Sequence, residues 1–247
     1  MSQTLIDVNA ASTTAPLQNV SLCTSALSKS LNRPQQLPGL VAFYGPSGWG
    51  KTFAAAYAAN HFQAYYVEVK ECWTKKAFLE FVLKEMGILP EKVMYKMIEQ
   101  IAEQLVLSGK PLIVDEMDYL IKRNYTDLIR DIYESSRATI LMIGEEQLEA
   151  NLRQHERFHN RVMEWIPAQP ANIDDMHHLV RLYARGLKIT DDLLEYVRIA
   201  NKGCTRRICI NIEKIRSVSV NMGLDTMDRN TWGDQPLYTG TAPKRRL

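Results

Sequence analysis

One stretch constrains this chain more than any other: Gly45-Pro46-Ser47-Gly48-Trp49-Gly50-Lys51-Thr52. It fits Gly-x-x-x-x-Gly-Lys-[Ser/Thr] in full. The apolar run "GLVAFY" precedes it and the alanine-rich run "KTFAAAYAANHF" follows. The physical demand behind the pattern is a loop that wraps phosphates with backbone N–H groups, so bulk is excluded where the backbone approaches. The helix after it aims its positive end at the same phosphates. Lys51 supplies a point charge to the β- and γ-phosphates, and Thr52 offers a hydroxyl to Mg²⁺. Gly45 through Thr52, with Phe53 in the first turn of the helix, are therefore expected to bind ATP with Mg²⁺.

The rest of the chain supplies a matching framework. "GLVAFY" reads as a short buried strand, and "AYYVEV", "PLIVDE", "ATILMIG" and "VMEWI" read as further strands, alternating with segments of helical apolar spacing. That alternation predicts an α/β fold: a three-layer sandwich with a mostly parallel sheet covered on both faces. Hydrophobic residues make up 46% of the 247, enough for a sizeable core. From Asn172 the pattern changes to three helical segments, two of them closed by glycine, which predicts a small all-helical lid. The expected organisation is a tail and linker helix over 1–37, a P-loop core over 38–170, the lid over 171–223 and a C-terminal tail over 224–247.

"LIVDE", Leu112 to Glu116, places two acids at the C-terminal end of a strand, where ligands bind in an open α/β sheet. Asp115 is expected to hold the Mg²⁺ shell. Glu116 is expected to orient and deprotonate the attacking water. The reaction so implied is hydrolysis of ATP to ADP and phosphate.

With these motifs the chain resembles the AAA+ ATPases, from about Val20 to Gly223. The resemblance implies a polar sensor at the end of the fourth strand. Here that strand runs into Gly144, Glu145 and Glu146 in place of the usual Asn or Thr, and Glu145 is the candidate. It implies an arginine finger for a neighbouring subunit's ATP in "NLRQHERFHNRV", where Arg153, Arg157 and Arg161 recur every four residues. Arg161 is favoured, Arg157 second. It also implies a second sensor at the start of a lid helix, matched by Gly203 and Arg206. The wording of the whole chain is similar to the transposition-helper ATPases, a group that includes the phage Mu B protein and the TniB and IstB helpers. It is nearest the B-type proteins of Mu-like phages. That resemblance implies a duplex-DNA-binding ATPase that forms a homo-oligomer, as filament or ring, and delivers target DNA to a transposase; the cysteines and the lack of a membrane-span or signal-peptide pattern add the expectation of a cytoplasmic protein.

Net charge is only +2, so a nucleic-acid partner must be argued from local clusters. Lys70, Lys75 and Lys76 after the second strand, and Lys122 and Arg123 after the acidic strand end, are the candidate phosphate contacts. Trp73 lies among them, and "KRR" at Lys244 to Arg246 is a further basic cluster. Two other readings stay open: a helicase loader of the related IstB-like group, and an ATP-gated protein scaffold. Asp115-Glu116 argues against the scaffold. "HERFH", His155 to His159, fits the zinc-protease pattern H-E-x-x-H. Three neighbouring arginines disfavour a dication, and no convincing third ligand joins the pair, although His177, His178 and Glu195 lie downstream. Four cysteines without a CxxC pair suggest neither a zinc ribbon nor a disulfide framework. No apolar run approaches the ~18 residues of a membrane span.

Overall fold

A computed structural model describes residues 16–241. The N-terminal tail up to residue 15 and the basic cluster at Lys244 to Arg246 lie outside the described residues. The chain divides into two compact units, and residues 18–170 form the larger.

In the larger unit the chain runs through α1 (Gln18–Leu31), β1 (Leu40–Tyr44), α2 (Lys51–Phe62), β2 (Tyr65–Glu68), α3 (Lys75–Glu85) and α4 (Met94–Ser108). It continues through β3 (Leu112–Asp115), α5 (Met117–Lys122), α6 (Thr126–Ser136), β4 (Ile140–Gly144), α7 (Leu148–Arg153), α8 (Glu156–His159) and β5 (Val162–Pro167). The five strands form one sheet in the order β2-β3-β4-β1-β5, every pair parallel. All five predicted strands are therefore present.

The three central strands read as unbroken apolar runs because both faces of the sheet are covered. On one face Leu40, Ala42, Leu112, Val114, Ile140 and Met142 pack with Phe78, Leu79, Ile101, Leu105, Ile129 and Ile132 of α3, α4 and α6. The alternate residues Val41, Phe43, Ile113, Leu141 and Ile143 are equally buried, toward the opposite face. Helix α2 touches β2, β3 and β4, and α1 touches β1, β5 and α2. Helix α1, set apart in the sequence reading as a linker, is thus an integral layer of this unit. The short side chains Ala54, Ala55 and Ala58 let α2 lie close on the sheet. Each buried Leu, Ile or Phe contributes about 1.5–3 kcal/mol of transfer free energy.

The second unit contains α9 (Ile173–Tyr183), β6 (Lys188–Ile189), α10 (Asp191–Ala200), α11 (Thr205–Met222), β7 (Thr226–Met227) and α12 (Arg229–Trp232). Asn172 and Asp175 form a reciprocal capping box at the start of α9. The expectation of an all-helical unit needs correction, because β6 and β7 pair in parallel. That pairing draws part of the predicted tail into the fold: Met227 and Trp232 are buried. Two-residue strands leave no periodicity in a sequence, which is why the pattern missed them.

Candidate nucleotide site

The sheet order places the C-terminal ends of β1, β4 and β3 side by side, and the predicted motifs sit on those ends. Gly45 leaves β1 with its N–H donating to Gly144 O at 3.3 Å. Gly48 and Gly50 both adopt φ 82°, a left-handed conformation that side chains oppose. Gly50 is the N-cap of α2 and gives that helix no side-chain cap. The first N–H groups of α2 thus remain open to an anion. Lys51 Nζ donates to Gly45 O at 2.6 Å and Pro46 O at 2.9 Å, so the ammonium is held across the loop. Ser47, Thr52 and Phe53 are exposed, while Pro46 and Trp49 are half-buried. From α1, Asn19 Nδ2 donates to Trp49 O at 2.7 Å and to Gln169 O at 2.8 Å. Its Oδ1 accepts from Gln169 N at 2.8 Å.

Asp115, 2% exposed, closes β3. Both of its oxygens are held: Oδ1 accepts from Glu116 N at 2.8 Å and Oδ2 from the Tyr66 hydroxyl at 2.9 Å. Glu116 follows at φ 57°, ψ 41°, a left-handed conformation for a residue with a Cβ, and caps α5. Such outliers cost about 1–3 kcal/mol and cluster at functional sites. Burial first, then the charges of Asp115, Asp118 and Glu145, push the Glu116 carboxyl above its usual range. Burial pulls Lys51 below the usual lysine range, opposed by Asp115, Glu145, Glu116 and Asp118.

The structure therefore brings Lys51, Asp115, Glu116 and Glu145 into one electrostatic cluster. It adds two residues that sequence reasoning missed, Tyr66 and Asp118. Asp118 Oδ2 accepts from Glu145 N at 2.7 Å. Tyr66 comes from the edge strand β2, whose register sets Glu68 against Asp115. Nothing in a lone strand marks which tyrosine faces a neighbour's aspartate. For Asp118 a signal was available: a third acid within four residues of a buried strand end.

The residues present fit ATP with Mg²⁺. Uncapped α2 N–H groups and Lys51 would hold the phosphates, and Thr52 with Asp115 would hold the cation. Bound there, the cation would neutralise phosphate charge. It would also offset a site carrying several carboxylates against one lysine.

The segment after β4 differs from its sequence reading. It is two short helices, broken at Gln154 and His155. His155 (φ −108°, ψ 69°) only caps α8, and Arg161 lies in the turn before β5. Arg153, Arg157 and Arg161 therefore share no single helix face. Arg153 pairs with Glu149 at 2.7 Å. Arg161 pairs with Glu134 and donates to Arg157 O. The Arg157 side chain is exposed and has no acidic partner among the described residues. His159 stacks on Trp165 with ring centroids 5.1 Å apart. Among the described residues no group of three or more His, Cys, Asp or Glu is placed to hold a metal ion.

Of the candidate phosphate contacts, Lys70 pairs with Glu68 and Lys76 lies 3.7 Å from Glu80. Lys75 stands over the Tyr125 ring at 5.2 Å and Lys122 over Tyr119 at 5.4 Å. Arg123 is exposed, and Trp73 stacks on Phe81 at 4.2 Å. Arg206 is exposed in the first turn of α11, in the second unit, after Gly203 at φ 66°. None of the four cysteines forms a disulfide, and burial pushes Cys23 up to about 12 and Cys209 up to about 11. Among the described residues no helix is long and apolar enough to cross a membrane.

Comparison with known proteins agrees with this geometry. Residues 35–152 match the family described as "AAA domain". No curated protein matches the sequence. Among solved structures, the ORC2 protein of Aeropyrum pernix, in ADPNP and ADP complexes, superposes with a TM-score of 0.66 at 14% identity, over 91% of this chain and 68% of that one. The ORC1 protein of the same organism, in complex with DNA, gives 0.61 at 16% identity, over 86% and 62%. The RuvB branch-migration motor of Thermotoga maritima gives 0.55 at 16%, over 88% and 67%. The chain thus spans between 62% and 68% of the lengths of these proteins. The domain match supports ATPase activity with ATP and Mg²⁺. Parallel sheet, phosphate loop and acidic strand end together give this chain the AAA+ P-loop ATPase fold, with the AAA-domain match over residues 35–152.

Proposed function

We propose that the protein is a nucleic-acid-associated AAA+ ATPase that assembles on duplex DNA in its ATP state. The observation that carries the ATPase part is the convergence of Lys51, Asp115 and Glu116 at adjacent strand ends. Glu116 orients and deprotonates the attacking water, Asp115 orders the cation's shell, and Lys51 holds the phosphates. An arginine from a neighbouring copy completes the site. Arg157 suits that part better than Arg161, because Arg161 is committed to Glu134. ATP held between copies makes nucleotide state bias assembly.

DNA association is supported by the exposed Lys122 and Arg123, by Lys75 over the Tyr125 ring, and by a fold shared with an ORC1 protein solved on DNA. Contacts of this kind neutralise phosphates without reading bases. The sequence wording described above points further, to selection of target DNA and its delivery to a transposase. The same sequence wording leaves a second reading, a loader that acts on single strands and a replicative helicase.

The test is sedimentation and electron microscopy with duplex and single-stranded DNA, in ATP, ADP and no nucleotide, at moderate salt. ATP-dependent coating of duplex DNA, followed by stimulation of a transposase by that complex, supports the first reading. Preference for single strands turns the assignment to the loader. No DNA binding in any state overturns both.

A further inference from the structure

We propose that Asp118 is a positioning residue for ATP hydrolysis, fixing the turn after β4 against the Glu116 turn through its hydrogen bond to Glu145 N. This rests on the ATPase reading above. Asp118 lies in the first turn of α5 and is 9% exposed. A buried carboxylate is costly unless its oxygens find donors. An aliphatic side chain would fill the same space without that cost. What the carboxylate alone supplies is an acceptor, and Oδ2 uses it on Glu145 N at 2.7 Å.

The surroundings are cut to the shape of this bond. A Cβ on Gly144 would stand 2.5 Å from Asp118 Oδ2 and 2.9 Å from Leu148 Cδ1. The last position of β4 therefore carries no side chain, and the polar group at the end of that strand comes from α5. Gly144 also accepts from Gly45 N at the start of the phosphate loop. Asp118 thus joins the end of β4, which braces the phosphate loop, to the turn that carries the catalytic glutamate only two residues away.

The electrostatics follow the same connection. The Glu145 charge acts on Lys51, on Glu116 and on Asp118 itself. If the Glu145 backbone is released, that charge no longer has a fixed distance from the base or from the phosphate-binding lysine. The expected defect lies in the chemical step more than in nucleotide affinity, because neither the α2 N–H groups nor the hydrogen bonds from Lys51 to Gly45 O and Pro46 O involve Asp118.

The test compares Asp118→Ala, Asp118→Asn, Gly144→Ala and the Asp118→Ala/Gly144→Ala double variant of the full chain. Readouts are steady-state kcat and KM, the Kd for a fluorescent ATP analogue, and the thermal transition. Asp118→Ala is expected to lower kcat at least tenfold with Kd within about twofold of wild type. Asp118→Asn keeps an oxygen acceptor in the same place and is expected to restore kcat to within about threefold. Gly144→Ala should reproduce the loss of kcat, and the double variant should be no worse than about the poorer single one, since both break one contact.

Wild-type kcat in Asp118→Ala, an Asp118→Asn as poor as Asp118→Ala, or losses that multiply in the double variant would each overturn the proposal. If Asp118→Ala fails to fold, Asp118→Asn and Gly144→Ala decide it. Near-normal kcat in the first with a loss confined to kcat in the second supports the latch; any other result overturns it. A wild-type chain that hydrolyses no ATP would overturn the ATPase reading and the latch together. Normal hydrolysis that survives the loss of Asp118 overturns the latch alone.

Discussion

Asn19 offers the sharpest test of how this site is held. The residue is 6% exposed and belongs to α1, far from the motifs in sequence. Its amide makes three hydrogen bonds: to Trp49 O inside the phosphate loop, to Gln169 O, and from Gln169 N. Asn19→Ala removes all three. Each bond is worth about 1 kcal/mol net, so the loss is about 3 kcal/mol, and more if the stranded groups find no water. In a chain of this size 1 kcal/mol shifts the midpoint by about 2–4 °C, so Tm should fall by roughly 6–12 °C. Nucleotide affinity should fall as well, because the Trp49 carbonyl is then free to turn and the loop must be ordered on binding. Asn19→Asp keeps the acceptor for Gln169 N but sets a carboxylate against two carbonyls, and should be no better. The assay is thermal unfolding by circular dichroism together with titration of a fluorescent ATP analogue. Three of the four tryptophans, Trp49, Trp73 and Trp165, report on the larger unit by fluorescence. A midpoint within about 2 °C of wild type and an unaltered Kd would refute the argument that α1 braces the loop.

Lys51→Ala should abolish nucleotide binding and ATP-dependent assembly, read by the same titration and by sedimentation. Glu116→Gln should bind ATP normally and hydrolyse it at least a hundredfold more slowly, within the usual ~10²–10⁴ effect of a general base; normal turnover would remove Glu116 from that role. Glu116→Gly should be stabler than wild type by about 1 kcal/mol while losing hydrolysis, because glycine accepts φ 57° without the steric cost; a lower Tm would contradict the strain argument. The Glu116 carboxyl lies above its usual range, so the acid limb of kcat/KM should fall above the ordinary glutamate range, since the base works only when ionised. Asp118→Asn removes one of the charges responsible and should move that limb to lower pH. The folded state holds the Glu116 proton more tightly than the unfolded chain does. This group's contribution to stability therefore falls as pH rises from the unfolded value through the raised one, and pH-dependent melts should show that sign. Tyr66→Phe should raise the Mg²⁺ concentration needed for tight ATP-analogue binding with little change in Tm; an unchanged Mg²⁺ requirement would show that Asp115 needs no help from that hydroxyl.

The parts of this protein that were legible in the sequence are those dictated by a local covalent pattern. The phosphate loop needs glycines at fixed spacing, a buried parallel strand needs an apolar run, and an acidic pair at a strand end announces itself. The five strands were readable for that reason, and so was the placing of Lys51, Asp115 and Glu116 at adjoining strand ends. The parts that were not legible are set by register between distant segments. Whether Tyr66 or its neighbour meets Asp115 depends on how β2 aligns with β3, a choice that flips every side chain when it slips by one. Asn19 is tied to residues 30 and 150 positions away. The arginines after β4 show the converse error: a spacing of four suggested one helix face, yet the chain turns at His155 and splits the helix. Glu145 shows why composition alone misleads at a candidate position. Its strand end lacks the expected polar side chain because Asp118, from another element, already occupies that space. On the Asp118 proposal, a strand end can lack a polar side chain of its own when a neighbouring element supplies the polar atom. Such a substitution becomes visible only once the backbone hydrogen bond and the close approach to Gly144 are seen together.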